Sequence, residues 1–177
     1  MGALDIAPTY TYRDYRTWEG SWELIGGVAY AMSPAPCPKH QRVVKKIAWE
    51  LEKSLNCEGC ELYLSPVDWK IDETTVVQPD LAIFCEKPQK QYFSETPPLI
   101  VEVLSKATAQ KDVTVKYDLY ENTGVRYYVI VEPENETAEV FMLDNSTYRR
   151  LYKISTPRTI ELEWDECRAS IDFKQVF

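Results

Sequence analysis

Two carboxylates in this chain sit where an acid is costly unless something holds it. Asp80 ends a Gln78-Pro79-Asp80 step just before an apolar run, and Glu102 interrupts a second run, Leu99-Ile-Val-Glu-Val-Leu104. A run that is apolar on both sides reads as a strand buried on both faces, where a lone ionised acid must be paired or bind something. Lys116 follows, four residues after Asp112 on a segment with helical spacing. Two acids and an amine can hold a hard divalent cation such as Mg2+ or Mn2+ and relieve charge on a phosphoryl group. The backbone carbonyl of Val103, beside Glu102, would add another oxygen ligand. Asp112 would steady the Lys116 ammonium, although acid–lysine pairs at this spacing are also ordinary on a solvated helix face.

Glu23 and His40 are further candidates. Glu23 opens a short apolar segment and could supply a metal or water ligand, or serve only in a salt bridge. His40 follows the proline-rich Ser33–Pro38 stretch at the start of a long helical pattern. A helix N-terminus attracts phosphate, so His40 could touch a phosphate or a water, or could simply hydrogen-bond the helix start. Asp68, Asp72 and Glu73 read as solvated turn charges.

The elements that must position these groups follow from periodicity. Trp22–Met32 reads as a hairpin around Gly26-Gly27, after a short helix within Thr11–Trp18. From Lys39 to Leu55, Val43, Val44, Ile47, Ala48, Leu51 and Leu55 recur at helical spacing, with Lys45, Lys46, Glu50, Glu52 and Lys53 on the other face. Strands are expected over Glu61–Lys70, kinked at Pro66, over Thr74–Phe84, broken at Pro79, and over Leu99–Leu104. A second helix is expected over Thr108–Asn122, capped by Thr108 and ended by Gly124, with Val113, Lys116, Tyr117 and Tyr120 along one face. Arg126–Val131 reads as a strand, Thr137–Leu143 and Tyr148–Ile154 as a hairpin closed at Asp144–Ser146, and Thr159–Leu162 as a last short strand. The unit from Leu99 to Val131 should be a right-handed parallel crossover, and the strands before it antiparallel. The fold class is therefore α/β in the α+β sense, a mixed sheet flanked by helices.

At 177 residues the chain suits one domain, 1–177, with a sizeable core. No apolar run approaches a bilayer span and no export signal is visible, so the expectation is a cytoplasmic protein that makes no membrane contact. Five cysteines are scattered along it and read as reduced thiols. Cys57 and Cys60 form a C-x-x-C, but no second pair or nearby histidine completes a zinc site in the sequence. A net charge of −8 excludes strong non-specific attraction to nucleic acid by bulk charge and leaves only a local basic surface for that purpose.

Several segments together, Glu23-Leu-Ile-Gly-Gly27, Met32–Pro36, His40-Gln41, Gln78-Pro-Asp80, Val101–Ser105, Thr108, Asp112, Lys116, Tyr120 and Gly124-Val125, resemble the Uma-type restriction endonuclease family of the PD-(D/E)XK nuclease superfamily. The resemblance runs from about Tyr12 to Tyr152. It implies a restriction-endonuclease-like core with an added N-terminal hairpin and C-terminal hairpin. It also implies magnesium- or manganese-dependent cleavage of DNA, by a homodimer because two strands need two sites. The hairpin around Asp144 is a possible dimer contact. Asp80 matches the superfamily's aspartate and Glu102 its second acid. The superfamily lysine would fall at Leu104, so Lys116 looks like its displaced substitute. That departure leaves an alternative open: a catalytically inactive nuclease-fold module that binds nucleic acid or a protein partner.

Overall fold

The structure is a computed structural model that describes residues 7–32, 35–88, 90–106, 109 and 113–177. Thr108 and Asp112, the expected helix cap and the expected partner of Lys116, lie outside the described residues.

The chain begins with one helical turn, α1 (Tyr12–Tyr15), at whose start Asp14 accepts from the Thr11 amide and hydroxyl. The first hairpin, β1 (Trp22–Ile25) and β2 (Val28–Ala31), turns at Gly26 and Gly27, whose φ values are +58° and +79°. Two consecutive left-handed residues match the twist of a two-residue hairpin, and glycine adopts them without a Cβ penalty. The long helix α2 (Pro38–Ser54) starts with proline in its first turn, where no amide partner is needed. Its stripe Val43, Val44, Ile47 and Leu51 is buried, each side chain worth about 1.5–3 kcal/mol of transfer free energy.

Next come β3 (Glu61–Leu64), β4 (Asp68–Asp72), β5 (Thr75–Val77), β6 (Leu81–Phe84), β7 (Tyr92–Phe93) and β8 (Leu99–Val103). After these, α3 (Val115–Thr123) ends at Gly124, which takes φ +91° as a left-handed cap. The remainder is β9 (Tyr127–Glu132), β10 (Thr137–Asp144), β11 (Thr147–Ile154), β12 (Thr159–Trp164), β13 (Cys167–Asp172) and the short α4 (Phe173–Val176).

Among the described residues these strands form three sheets. The central one has six strands in the order β11-β10-β9-β8-β6-β3. Its only parallel pair is β8 with β9, joined through α3, and the others are antiparallel. The mixed sheet and the parallel crossover are as the sequence led us to expect. A second sheet, β2-β1-β5-β4-β7, carries the N-terminal hairpin. The region Glu61–Lys70 is thus two strands in two sheets rather than one kinked strand. Pro66, which cannot donate to a ladder, stands where the chain leaves one sheet for the other. The third sheet is a C-terminal hairpin, β12-β13, where the sequence suggested a single short strand.

Alternation across β6 and β8 decides which helix each residue meets. Leu81, Ile83, Leu99, Val101 and Val103 join the core on the α2 side. Ala82, Phe84 and Ile100 join the other core with Tyr120 and Tyr128. Glu102 is one step from Val101 and Val103, so the pleat turns it toward the α3 side. The C-terminal hairpin packs on α2, where the Ser54 hydroxyl and the Glu50 carboxylate take the Ser170 and Asp172 amides. Glu50 is therefore buried and pairs with Lys53, rather than lying on a solvated helix face.

The cysteines differ from the expected set of reduced thiols. Cys57 is joined to Cys167 and Cys60 to Cys85 as disulfides, while Cys37 is free and exposed. The partners come from strand ends that the sequence places far apart and the sheet brings together. No helix among the described residues is long and apolar enough to cross a membrane.

Candidate active site

Strand β8, the loop into β6, hairpin strand β1 and helix α3 meet around one ammonium group. Lys116 Nζ lies 2.8 Å from Glu102 Oε1 and 2.9 Å from Glu23 Oε1. Lys116 is in the first turn of α3, and one turn later Tyr120 donates to the same Glu102 oxygen at 2.8 Å. The i,i+4 spacing puts amine and phenol on one helix face, aimed at one strand residue. Glu23, Glu102, Lys116 and Tyr120 are all at most 2% exposed. Three buried ionisable groups at these distances satisfy one another, as such groups must.

A second layer connects this cluster to Asp80. The Asp80 amide donates to Glu102 Oε2 at 3.3 Å, and the Val103 amide donates to Asp80 Oδ2 at 2.8 Å. Each acid therefore accepts from the other's strand neighbourhood, and this fixes both carboxylates. His40 Nε2, in the first turns of α2, is 3.4 Å from Asp80 Oδ2. The Gln78 amide donates to Glu23 Oε1, the same oxygen that Lys116 contacts, at 2.8 Å. The Gln78 side chain then donates to Asp68 Oδ1 at 2.7 Å, which also accepts from Tyr15 at 2.8 Å. Burial, and then the Asp68 charge, raise the Tyr15 phenol above its ordinary range, so it stays protonated as a donor.

Above these groups opens a cleft of about 790 Å3 whose wall includes His40, Gln78, Asp80, Leu104, Ser105 and Lys106. The Asp80 side chain is 20% exposed and faces it. Glu23, Glu102 and Lys116 lie beneath, outside the lining. All five residues singled out as catalytic candidates thus meet in one cluster, four of them joined by hydrogen bonds and His40 by its 3.4 Å approach to Asp80, and Val103 enters it through its amide. Leu104 occupies the cleft wall where the superfamily pattern would have a lysine.

Three contributors escaped the sequence reading as site residues. Tyr120 was visible only as an apolar-face aromatic, although its place four residues after Lys116 was a usable signal. Gln78 read merely as the residue before Pro-Asp. Asp68 is a half-buried acceptor rather than a solvated turn charge, and nothing local to it shows this because its partners are remote in sequence.

The donor set suits a hard cation. Asp80, Glu102 and the Val103 carbonyl are oxygen ligands of the kind Mg2+ and Mn2+ prefer. Among the described residues Asp80 Oδ1 accepts no hydrogen bond, which leaves a carboxylate oxygen toward the cleft.

Known proteins resemble this chain in sequence profile and in fold. Residues 11–164 match the profile of Uma2, described as "Putative restriction endonuclease". The chain belongs to the Uma2 family. A solved structure titled "Crystal structure of a putative nuclease belonging to DUF820 from Anabaena variabilis ATCC 29413" superposes with a TM-score of 0.73, at 16% identity, over 94% of this chain and 97% of that one. Likeness at that identity establishes the shared fold. No curated protein matches the chain. In this Uma2-family chain the Asp80 side chain lines the cleft, and the buried Glu23–Lys116–Glu102 triad lies beneath it.

Proposed function

We propose that this Uma2-family protein is a metal-dependent endonuclease that hydrolyses phosphodiester bonds in DNA. The observation that carries the reading is the convergence of Asp80 and Glu102, each accepting from the other's backbone neighbourhood, at the base of an open cleft. Asp80, Glu102 and the Val103 carbonyl would hold Mg2+ or Mn2+. Such an ion, when bound, makes a water nucleophilic and draws charge from the phosphate.

The chain's own groups prepare the site. Lys116 neutralises Glu23 and turns Glu102 toward Asp80, so its effect passes through the two glutamates. Tyr120 holds the same Glu102 oxygen and leaves the other to face Asp80. His40 steadies Asp80 and stands at the N-terminal end of α2, where a phosphate is electrostatically welcome. The cleft wall carries both signs of charge, with Lys106 beside Glu132 and Glu134, and exposed Lys39 of α2 pairs with Glu134 at 3.4 Å. Cutting both strands of a duplex would use two copies of the chain.

Plasmid nicking with Mg2+ or Mn2+ across a salt series tests the reading. Asp80→Asn should lower the cleavage rate by at least about 100-fold while the circular dichroism spectrum is kept, and should weaken Mn2+ binding measured by calorimetry. Undiminished metal binding by Asp80→Asn, or wild-type protein that never nicks DNA, would refute it. The inactive-module alternative rests on Leu104 and on a lysine buried beneath the acids. DNA retention without cleavage at every metal would favour it.

A further inference from the structure

Four of the five cysteines converge at one point, far from the cleft. Cys57 and Cys60 lie in the turn between α2 and β3, Cys85 follows the last residue of β6, and Cys167 opens β13. The antiparallel register of β3 and β6 pairs Glu61 with Phe84, so Cys60 and Cys85 continue that ladder as opposite neighbours. On the other side, Asn56 and Arg168 exchange backbone hydrogen bonds, which sets Cys57 beside Cys167. The Sγ atoms of Cys57, Cys60 and Cys167 all lie within 4.8 Å of one another, and Cys85 is bonded to Cys60. Cys57 Sγ and Cys60 Sγ, which belong to different disulfides, are 3.1 Å apart.

We propose that these four thiols form a structural zinc site when they are reduced. A tetrahedral thiolate site with Zn–S bonds of about 2.3 Å places its sulfurs about 3.8 Å apart, which this cluster can adopt with small side-chain rotations. The Cys57-Glu58-Gly59-Cys60 turn aims both of its thiols at one point, and Gly59 supplies the left-handed residue, φ +81°, that closes it. Disulfide pairing splits that C-x-x-C between two partners and packs two bridges side by side. A single ion takes all four sulfurs at once. Zinc entering the thiol form displaces up to four protons, giving one Zn2+ held by four thiolates. Starting from the disulfide form, four electrons from a phosphine or dithiol reductant must come first.

The site has a mechanical purpose that the fold makes plain. Among the described residues the β12-β13 hairpin forms no strand ladder with either larger sheet, and the Tyr127 hydroxyl of β9 bonds the Glu163 backbone of β12. Its links to the rest include the Asn56–Arg168 bridge and the bonds from Ser54 and Glu50 of α2. A tetrathiolate would tie its turn to the end of the central sheet and to the C-terminal end of α2. Asp80 and Cys85 flank opposite ends of β6, about 16 Å apart along a strand. The inference is thus independent of the proposed cleavage and is tested without it.

The test uses full-length protein purified with a phosphine reductant and no chelator. Elemental analysis should find about one zinc per chain, and the mercurial reagent p-hydroxymercuribenzoate should release it stoichiometrically. Intact mass without reduction should correspond to five free thiols after acid removes the metal. Co2+ substitution should give the visible ligand-field and charge-transfer bands of tetrahedral thiolate coordination. Cys85→Ser and Cys167→Ser should each lower zinc affinity at least tenfold, and a quarter-strength loss of thiolate charge-transfer intensity would report one lost ligand if they still bind Co2+. If a variant fails to fold, the wild-type stoichiometry and cobalt spectrum decide. Protein whose five thiols are free under reducing conditions, yet which takes up neither Zn2+ nor Co2+, would overturn the assignment.

Discussion

Lys116→Met is the substitution whose consequences the structure defines most sharply. Methionine keeps the reach of the side chain and removes the charge, leaving Glu23 and Glu102 facing a buried site without their shared cation. Lys116 is 2% exposed and Glu23 fully buried, so water cannot take over the ammonium's role. Removing one partner of a buried ion pair costs about 3–5 kcal/mol, and here one cation serves two acids. With a urea slope of about 2 kcal/mol/M, the unfolding midpoint should fall by about 2 M, followed by tryptophan fluorescence. The diagnostic step is to add Glu23→Gln. In the wild-type background that change destabilises, because Lys116 loses a carboxylate partner. In the Lys116→Met background it should restore about 1–3 kcal/mol, because it deletes one unpaired buried charge. Such a reversal of sign belongs to charge coupling and not to packing. A loss below about 1 kcal/mol for Lys116→Met, or Glu23→Gln destabilising equally in both backgrounds, would refute the reasoning.

Other outcomes follow from the same coordinates. Tyr120→Phe deletes the 2.8 Å donor to Glu102 and should cost about 1.5–3 kcal/mol in urea unfolding, with slower plasmid nicking. Gly27→Ala should be worse than Gly26→Ala in thermal unfolding. Both need positive φ, but a Cβ at Gly27 would come within 2.3 Å of Thr9 Cγ2, whereas Gly26 has open space. At alkaline pH, Tyr15 and Tyr148 should each weaken the fold. Burial first, and then the Asp68 carboxylate for Tyr15 and the Glu121 carboxylate for Tyr148, raise both phenols above the ordinary value. Their contribution is full below about pH 10, the unfolded value, and falls as pH rises beyond it, by at most about 1.4 kcal/mol per pH unit each. Denaturation at pH 9 and pH 11 measures the slope, and Tyr148→Phe should flatten it.

Local pattern alone determined much of this protein. The apolar stripe from Val43 to Leu51, the Gly26-Gly27 turn, the Gly124 stop and the nearly unbroken Leu99–Leu104 run each carry their structure in their own spacing. The two acids and the lysine were also legible, because a charge inside an apolar run or on an inward helix face is conspicuous wherever it occurs. Partnership was not legible. Glu23 meets Lys116 only because β1 pairs with β5, which carries the chain to Gln78. Asp68 is an acceptor only because Tyr15 and Gln78 arrive from other segments. Glu50 looked solvated until the C-terminal hairpin closed over it. The cysteines show the limit most clearly: Cys57 and Cys60 announced half of a cluster, while Cys85 and Cys167 joined them through sheet register and a hairpin turn. Periodicity is a short-range property of the chain, so it reveals which face of an element is buried. Which remote side chains share that burial is fixed only when the sheets assemble.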